Sequence, residues 1–193
     1  MQSPRRLPFS EAPSCKTLDV IELRPATADD IDFMWQMLYY ASYTDQEDGV
    51  TLDDMKANPD LIRHLDDWGN RTGDVALIAL DKTGRESRLV GASWLRHMIG
   101  HEQQDVTFID EHTPELVISV VPEIIGRGAG SRLMSEILHI ADSYGISQVV
   151  LTARASNPAV TLYERHGFEI IQRITNRVGT ESVKMLRVTP SPQ

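Results

Sequence analysis

Apolar residues follow two rhythms along this chain, and the switches between them lay out its elements. Apolar runs of strand length cover Leu18–Leu23, Asp74–Asp81, Leu89–Met98, Leu116–Val121, Gln148–Ala153, Phe168–Thr175 and Glu181–Val188. Spacings of three and four mark helices instead. One carries Ile31, Met34, Trp35, Leu38 and Ala41, entered through Thr27 as a cap with Asp30 closing a variant capping box. Another starts at Thr51-Leu52-Asp53-Asp54. After a break at Asn58-Pro59, a third piece carries Leu61, Ile62, Leu65 and Trp68 and is stopped by Gly69. The longest stripe is Leu133, Ile137, Ile140, Ala141 and Tyr144, with Met134 and Leu138 beside it and Gly145 as its stop. The last helix begins at Asn157-Pro158, with Pro158 suited to its first turn, and ends at Gly167.

The order of these elements predicts how they pair. Turns at Lys82-Thr83-Gly84-Arg85 and Asn176-Arg177-Val178-Gly179 each join two strands as a hairpin. Between Glu115 and Phe168 the order is strand, glycine-dense turn, helix, strand, which predicts a βαβ unit with parallel strands. The fold class is therefore α/β, of the α+β type. Residues 1–17 hold three prolines and no periodicity, so they are expected to form a flexible extension before a domain spanning 18–189.

Composition adds exclusions. A chain of 193 residues suits one domain with a full-sized core. Its net charge of −9 argues against DNA or RNA as a partner and is compatible with a cationic acceptor. No apolar run is long enough to cross a bilayer, so no membrane partner is expected. Arg5-Arg6 lacks the apolar region of a signal peptide, and the cytoplasm is the expected location. The single cysteine, Cys15, cannot form an intramolecular disulfide and sits in the extension, away from any core. His97, His101, Glu102 and His112 fit no strong metal motif, and a surface loop explains them better; no metal is expected.

Chemistry concentrates in the turn Gly126-Arg127-Gly128-Ala129-Gly130-Ser131. Glycines let consecutive backbone N–H groups converge, and the helix that follows adds the positive end of its dipole. Arg127 adds a full charge. The product is an anion cradle suited to a pyrophosphate. A dinucleotide site would want a glycine where Ser131 stands, and a nucleotide P-loop would want a lysine that is absent. A turn without a ligand and a coenzyme A site are the other readings.

Two segments resemble the GNAT superfamily of N-acetyltransferases. Pro122 to Gly130 is similar to that family's acyl-CoA signature, with Gly128 and Gly130 on its glycines and Ile125 where the family has Arg or Gln. Asn157-Pro158-Ala159-Val160-Thr161-Leu162-Tyr163-Glu164 through Gly167-Phe168 is similar to its closing segment, although the commonest Asn position falls on Ser156. The resemblance implies a mixed, mostly antiparallel sheet of about seven strands flanked by helices, with central parallel strands that splay apart. It implies acetyl-CoA as co-substrate. The pyrophosphate would lie on Gly126 to Ser131, and the pantetheine arm on the backbone of Ser119, Val120 and Val121. Asn157 and Tyr163 would lie nearby.

It also implies direct transfer of an acetyl group to a primary amine of a small molecule or peptide, in a ternary complex. Tyr163 matches the family's proton donor, and Glu115 is a candidate base beside a water relay. The tyrosines Tyr39, Tyr40 and Tyr43 read first as core and second as the lining of an acceptor pocket. The acidic cluster Asp45, Glu47, Asp48, Asp53 and Asp54 reads as solvated loop or as a hint of a cationic acceptor. A CoA-binding sensor without turnover, transfer of a longer acyl group, and a homodimer remain open.

Overall fold

The protein is described here by a computed structural model, over residues 21–42, 49–175 and 179–189. Seven strands form one sheet: β1 Ile21–Pro25, β2 Val75–Asp81, β3 Arg88–Arg96, β4 Glu115–Val120, β5 Gln148–Arg154, β6 Phe168–Thr175 and β7 Glu181–Val188. Their order across the sheet is β1-β2-β3-β4-β5-β7-β6. Every neighbouring pair is antiparallel except β4 and β5. The predicted strands are therefore all present, and the mixed sheet with one parallel pair follows from the βαβ order. Residues 18–20 of the first predicted strand and 176–178 of the last predicted turn lie outside the described residues.

The helices are α1 Ile31–Ala41, α2 Leu52–Lys56, α3 Pro59–Ile62, α4 Ala129–Ser143 and α5 Val160–Arg165. Strand alternation gives the sheet two apolar faces. On one, Leu116 and Leu151 pack with Leu133, Met134, Ile137 and Ala141 of α4. On the other, Ala92, Trp94 and Val117 pack with Met34, Trp35, Met37 and Leu38 of α1 and Met55 of α2. Entry to α1 is tied to β1: the Arg24 guanidinium grips Asp30 with two bonds of 2.7 Å, and Asp30 also accepts from the N–H of Thr27 at 2.8 Å. Those bonds, Arg24 first, hold the Asp30 carboxyl down at about 2.

The central feature is how little β4 and β5 share. They meet in a single register pair, Glu115 with Val150. Beyond it the strands part, β4 staying with β3 and β5 with β7. The gap opens toward the carboxyl ends of both strands. Gly91 on β3 makes this arrangement compact: a Cβ there would meet Val120 Cγ1 at 2.8 Å, the Ser119 carbonyl at 2.9 Å and Leu133 Cδ1 at 3.1 Å.

Three sequence expectations shift. The helical piece expected through Trp68 ends as α3 at Ile62. Beyond it Arg96 takes the carbonyls of His64 and Asp66, which a continuing helix would have used for itself. Tyr144, placed on the apolar stripe, is the C-cap of α4 and 68% exposed, because Gly145 turns the chain left-handed at once. The connection from Gly100 to Thr113 is not a plain surface loop. It starts with a 3-10 turn, and it buries Glu102, Thr107 and Thr113.

Candidate functional site

The glycine turn forms the mouth of the gap. Gly126 and Gly128 both take positive φ, 83° and 88°, a conformation that a side chain at Cβ disfavours. Gly128 is the N-cap of α4 and offers no side chain to the helix. The first N–H groups of α4, those of Ala129, Gly130 and Ser131, therefore face outward with the dipole behind them. Arg127 donates its own N–H inward to the Ile124 carbonyl, so its contribution outward is its exposed side chain. A Cβ at Gly126 or Gly128 would meet nothing within 4 Å, so there is open space where an anion would sit. At Gly130 it would meet only Leu162 Cδ2, at an ordinary 3.8 Å. Beside the turn, Asp81, Glu86, Arg88, Glu123 and Arg127 line a hollow of about 420 Å³. The turn itself offers what a pyrophosphate needs, N–H donors, a dipole and the Arg127 guanidinium, while the hollow beside it also carries the carboxylates of Asp81, Glu86 and Glu123.

Along the gap, the three backbone positions expected to hold the pantetheine arm differ. Val121 is already used, donating its N–H to the Val90 carbonyl at 2.9 Å and accepting from the Ile124 N–H at 3.0 Å. Ser119 and Val120 stay half-buried at the edge of the gap, where β5 has left β4.

The two candidate catalytic side chains lie on opposite faces of the sheet. Tyr163, on α5, is 6% exposed and belongs to the core shared with α4, packed edge-on against Phe168 with centroids 6.3 Å apart. Glu115 alternates with Leu116 of that core and shares its face with Val117, on the α1 side.

Around Glu115 the chain assembles charges that sequence reading missed. Glu115 is buried and accepts from Thr107 Oγ1 at 3.0 Å. Arg63 Nη2 lies 3.7 Å from it, and Arg63 Nη1 lies 3.3 Å from Asp105. Burial pushes the Glu115 carboxyl up, opposed by Arg63, Thr107 and Lys184. Lys184 on β7 donates to the carbonyls of Val106 and Phe108 at 2.8 and 3.0 Å, and burial pushes its ammonium down. Arg96, fully buried on β3 in register with Glu115, stacks over Trp68 at 5.5 Å and faces Asp74 at 3.9 Å. The available signal was a charged residue at an inward position of an apolar strand, as at Arg96 and Lys184.

Other predicted residues have other duties. Asn157 accepts the Ala159 N–H at 2.8 Å, shaping the turn into α5, and Ser156 is exposed. Ile125 is 70% exposed at the end of a 3-10 turn, outside the cradle's N–H groups. Of the acidic cluster, Asp45, Glu47 and Asp48 lie outside the described residues, as does Tyr43. Asp54 caps α2 through Thr51, and Asp53 is exposed. Tyr39 donates to the Val50 carbonyl at 2.9 Å. Glu102 is held by Arg71 through bonds of 2.7 and 2.9 Å. Among the described residues, no helix is long and apolar enough to cross a membrane.

Known proteins carry the same pattern. The family model of the acetyltransferase (GNAT) domain matches residues 89–188. A mycothiol acetyltransferase of Arthrobacter sp. (strain FB24) is 29% identical over 162 residues, covering 82% of this chain and 46% of that protein. A mycothiol acetyltransferase of Kytococcus sedentarius is 29% identical over 172 residues, covering 88% of this chain and 52% of that protein. The chain thus spans about half the length of the curated relatives it matches. A ribosomal-protein-alanine N-acetyltransferase from Brucella melitensis shares the fold, with a TM-score of 0.62 at 20% identity, over 87% of this chain and 99% of that one. So does a Salmonella typhimurium protein solved with acetyl-CoA as its cofactor, with a TM-score of 0.63 at 18% identity, over 87% of this chain and 93% of that one.

Proposed function

Because the chain belongs to the acetyltransferase (GNAT) family, we propose that it moves an acetyl group from acetyl-CoA to a primary amine of a small molecule or peptide. The observation that carries this reading is the anion cradle at the mouth of the β4–β5 gap: open space beside the N–H groups of Ala129, Gly130 and Ser131 at the start of a 15-residue helix. Acetyl-CoA brings an activated acetyl thioester. The chain's own work is then modest. The cradle and Arg127 hold the pyrophosphate. The backbone of Val120, which alternates with Val121 and so faces away from β3, offers strand-edge partners to the amides of the pantetheine arm. Glu115 accepts a proton from the bound ammonium, the neutral amine so formed attacks the thioester carbon, and Tyr163 donates a proton to the departing thiolate. A phenol of pKa about 10 is a fair match for a thiol of about 8.5. The buried pocket around Glu115 favours such a role, since burial pushes its carboxyl up from the ordinary value and makes it a better base. Attack is direct, with both substrates bound, and no enzyme nucleophile is needed.

Ile125, where the family has Arg or Gln, supports a second reading, a CoA-binding module that has lost turnover. One assay separates the two. The protein is incubated with acetyl-CoA and a panel of amines, and free thiol release is followed. Mycothiol-related amines head the panel because of the relatives' name. Amino acids, aminoglycosides and peptides follow. Amine-dependent thiol release is expected. Stabilisation by acetyl-CoA with no release across the panel would favour the module without turnover.

A further inference from the structure

Glu115 occupies the last point at which β4 and β5 still touch, and it is 5% exposed. A carboxyl there has lost its water, so its ionised form needs a compensating charge. Groups from four elements face it. Arg63 comes from the turn after α3, Asp105 and Thr107 from the connection before β4, Arg96 from β3 and Lys184 from β7. Lys184 is directed to two backbone carbonyls. Arg96 is directed to the carbonyls of His64 and Asp66. Arg63 alone among these cations forms an ion pair with Glu115, at 3.7 Å.

The way Arg63 is held is informative. Its Nη1 is buried and makes no hydrogen bond, although it lies 3.3 Å from Asp105. Its Nε donates to the Asp60 carbonyl at 2.9 Å. The guanidinium is therefore fixed by its own backbone turn, not by the carboxylate it faces. That turn is in turn held by Arg96, through the His64 and Asp66 carbonyls and the Trp68 ring. A cation so placed stays in position whether Glu115 is charged or neutral.

We propose that Arg63 is a positioning residue for acetyl transfer, keeping buried Glu115 in its proton-accepting form while dividing its charge between Glu115 and Asp105. The proposal rests on the reading of Glu115 as the base. Removing Arg63 leaves burial and Asp105 to act against ionisation, so Glu115 holds its proton to higher pH. Removing the Asp105 charge frees Arg63 for Glu115 and works in the opposite direction.

The test is the pH dependence of kcat/KM for the amine, at saturating acetyl-CoA, in the full chain. In Arg63→Met the acidic limb should move up by about one pH unit or more, the low end for a close opposite charge. Arg63→Lys should restore most of that shift. Asp105→Asn should move the limb down, and it serves as the independent variant if Arg63→Met fails to fold. Glu115→Gln should remove the enzyme's own limb and leave only that of the amine. A Glu115→Gln enzyme with the wild-type limb would overturn the base reading and this proposal with it. A limb lost in Glu115→Gln but unmoved in Arg63→Met, or in Asp105→Asn where the former is unfolded, would overturn the role of Arg63 alone.

Discussion

The two sides of the β4–β5 gap are built by different means. The unit from β4 through α4 to β5 makes its site from backbone: N–H groups bared by glycines, a helix terminus and strand edges left open. The side contributed by α3, the turn after it and the connection before β4 makes its site from buried charges that cross-link distant segments, such as Arg71 to Glu102 and Arg63 to Glu115. A backbone site tolerates changes in side chains but not the addition of one at a glycine. A charge network tolerates neither loss of a partner nor added polarity. The first construction suits the cofactor proposed for it. The second suits an element that varies with the acceptor.

The contrast can be broken at several points. The largest effect belongs to the cradle. Gly128→Glu places bulk and negative charge where the pyrophosphate would lie, and should abolish the rise in melting temperature produced by acetyl-CoA. Gly128→Ala, at φ 88° with free space around its Cβ, should cost about 1–2 kcal/mol of stability yet keep the response to acetyl-CoA. Equal responses in wild type and Gly128→Glu would place the cofactor elsewhere. Next comes the network. Arg96→Met removes the ion pair to buried Asp74 and leaves two carbonyls unpaired, and should lower the free energy of unfolding in urea by about 3–5 kcal/mol. A loss below about 1 kcal/mol would show that water serves those groups as well as Arg96 does.

Smaller effects sharpen the comparison. Tyr163→Phe keeps the packing against Phe168 and deletes a hydroxyl, so stability should hold while kcat and kcat/KM fall together by roughly 10²-fold. Full activity with the true acceptor would pass the proton donor's role to water or backbone. His64 gives the smallest effect. Burial, with Arg63 and Arg96 beside it, holds its imidazole well below the ordinary histidine value. The unfolded chain protonates below about pH 6.5 while the folded chain does not. The stability it contributes is therefore complete above that pH and is lost as the pH falls toward the folded value. Between about pH 7.5 and 5.5 the loss should be about 1 kcal/mol, seen as a difference in urea midpoints that His64→Gln removes. Parallel slopes in the two proteins would mean that His64 is not buried in the neutral form.

Legibility in the sequence follows the same division. The strand–glycine–helix–strand order was readable because periodicity and positive-φ glycines are local properties. The hairpins β2–β3 and β6–β7 were readable for the same reason. Arg63 and Thr107 were not, since nothing local distinguishes them from solvated residues, and Lys184 showed only as a charge at an inward position of an apolar strand. They become a cluster only when the sheet brings positions 63, 107, 115 and 184 together. The end of α3 was missed on the same ground: Leu65 and Trp68 keep a helical spacing, but a side chain from β3 takes the carbonyls. Tyr163 and Glu115 were named from the sequence, yet their division between the two faces needed the fold.

The single bridge between Glu115 and Val150 also has a mechanical meaning. The sheet is two ribbons, one of β1 to β4 and one of β5, β7 and β6, with α4 packed mainly on the first. Sliding strands within either ribbon breaks a whole ladder of hydrogen bonds. Spreading the ribbons apart spares both ladders and is resisted by side chains of the core around Leu133 and Leu151, by the Val150 N–H on the Pro114 carbonyl and by Lys184 on the carbonyls of Val106 and Phe108. The compliance of the molecule is thus concentrated along one line, the line at which cofactor and acceptor are expected to meet.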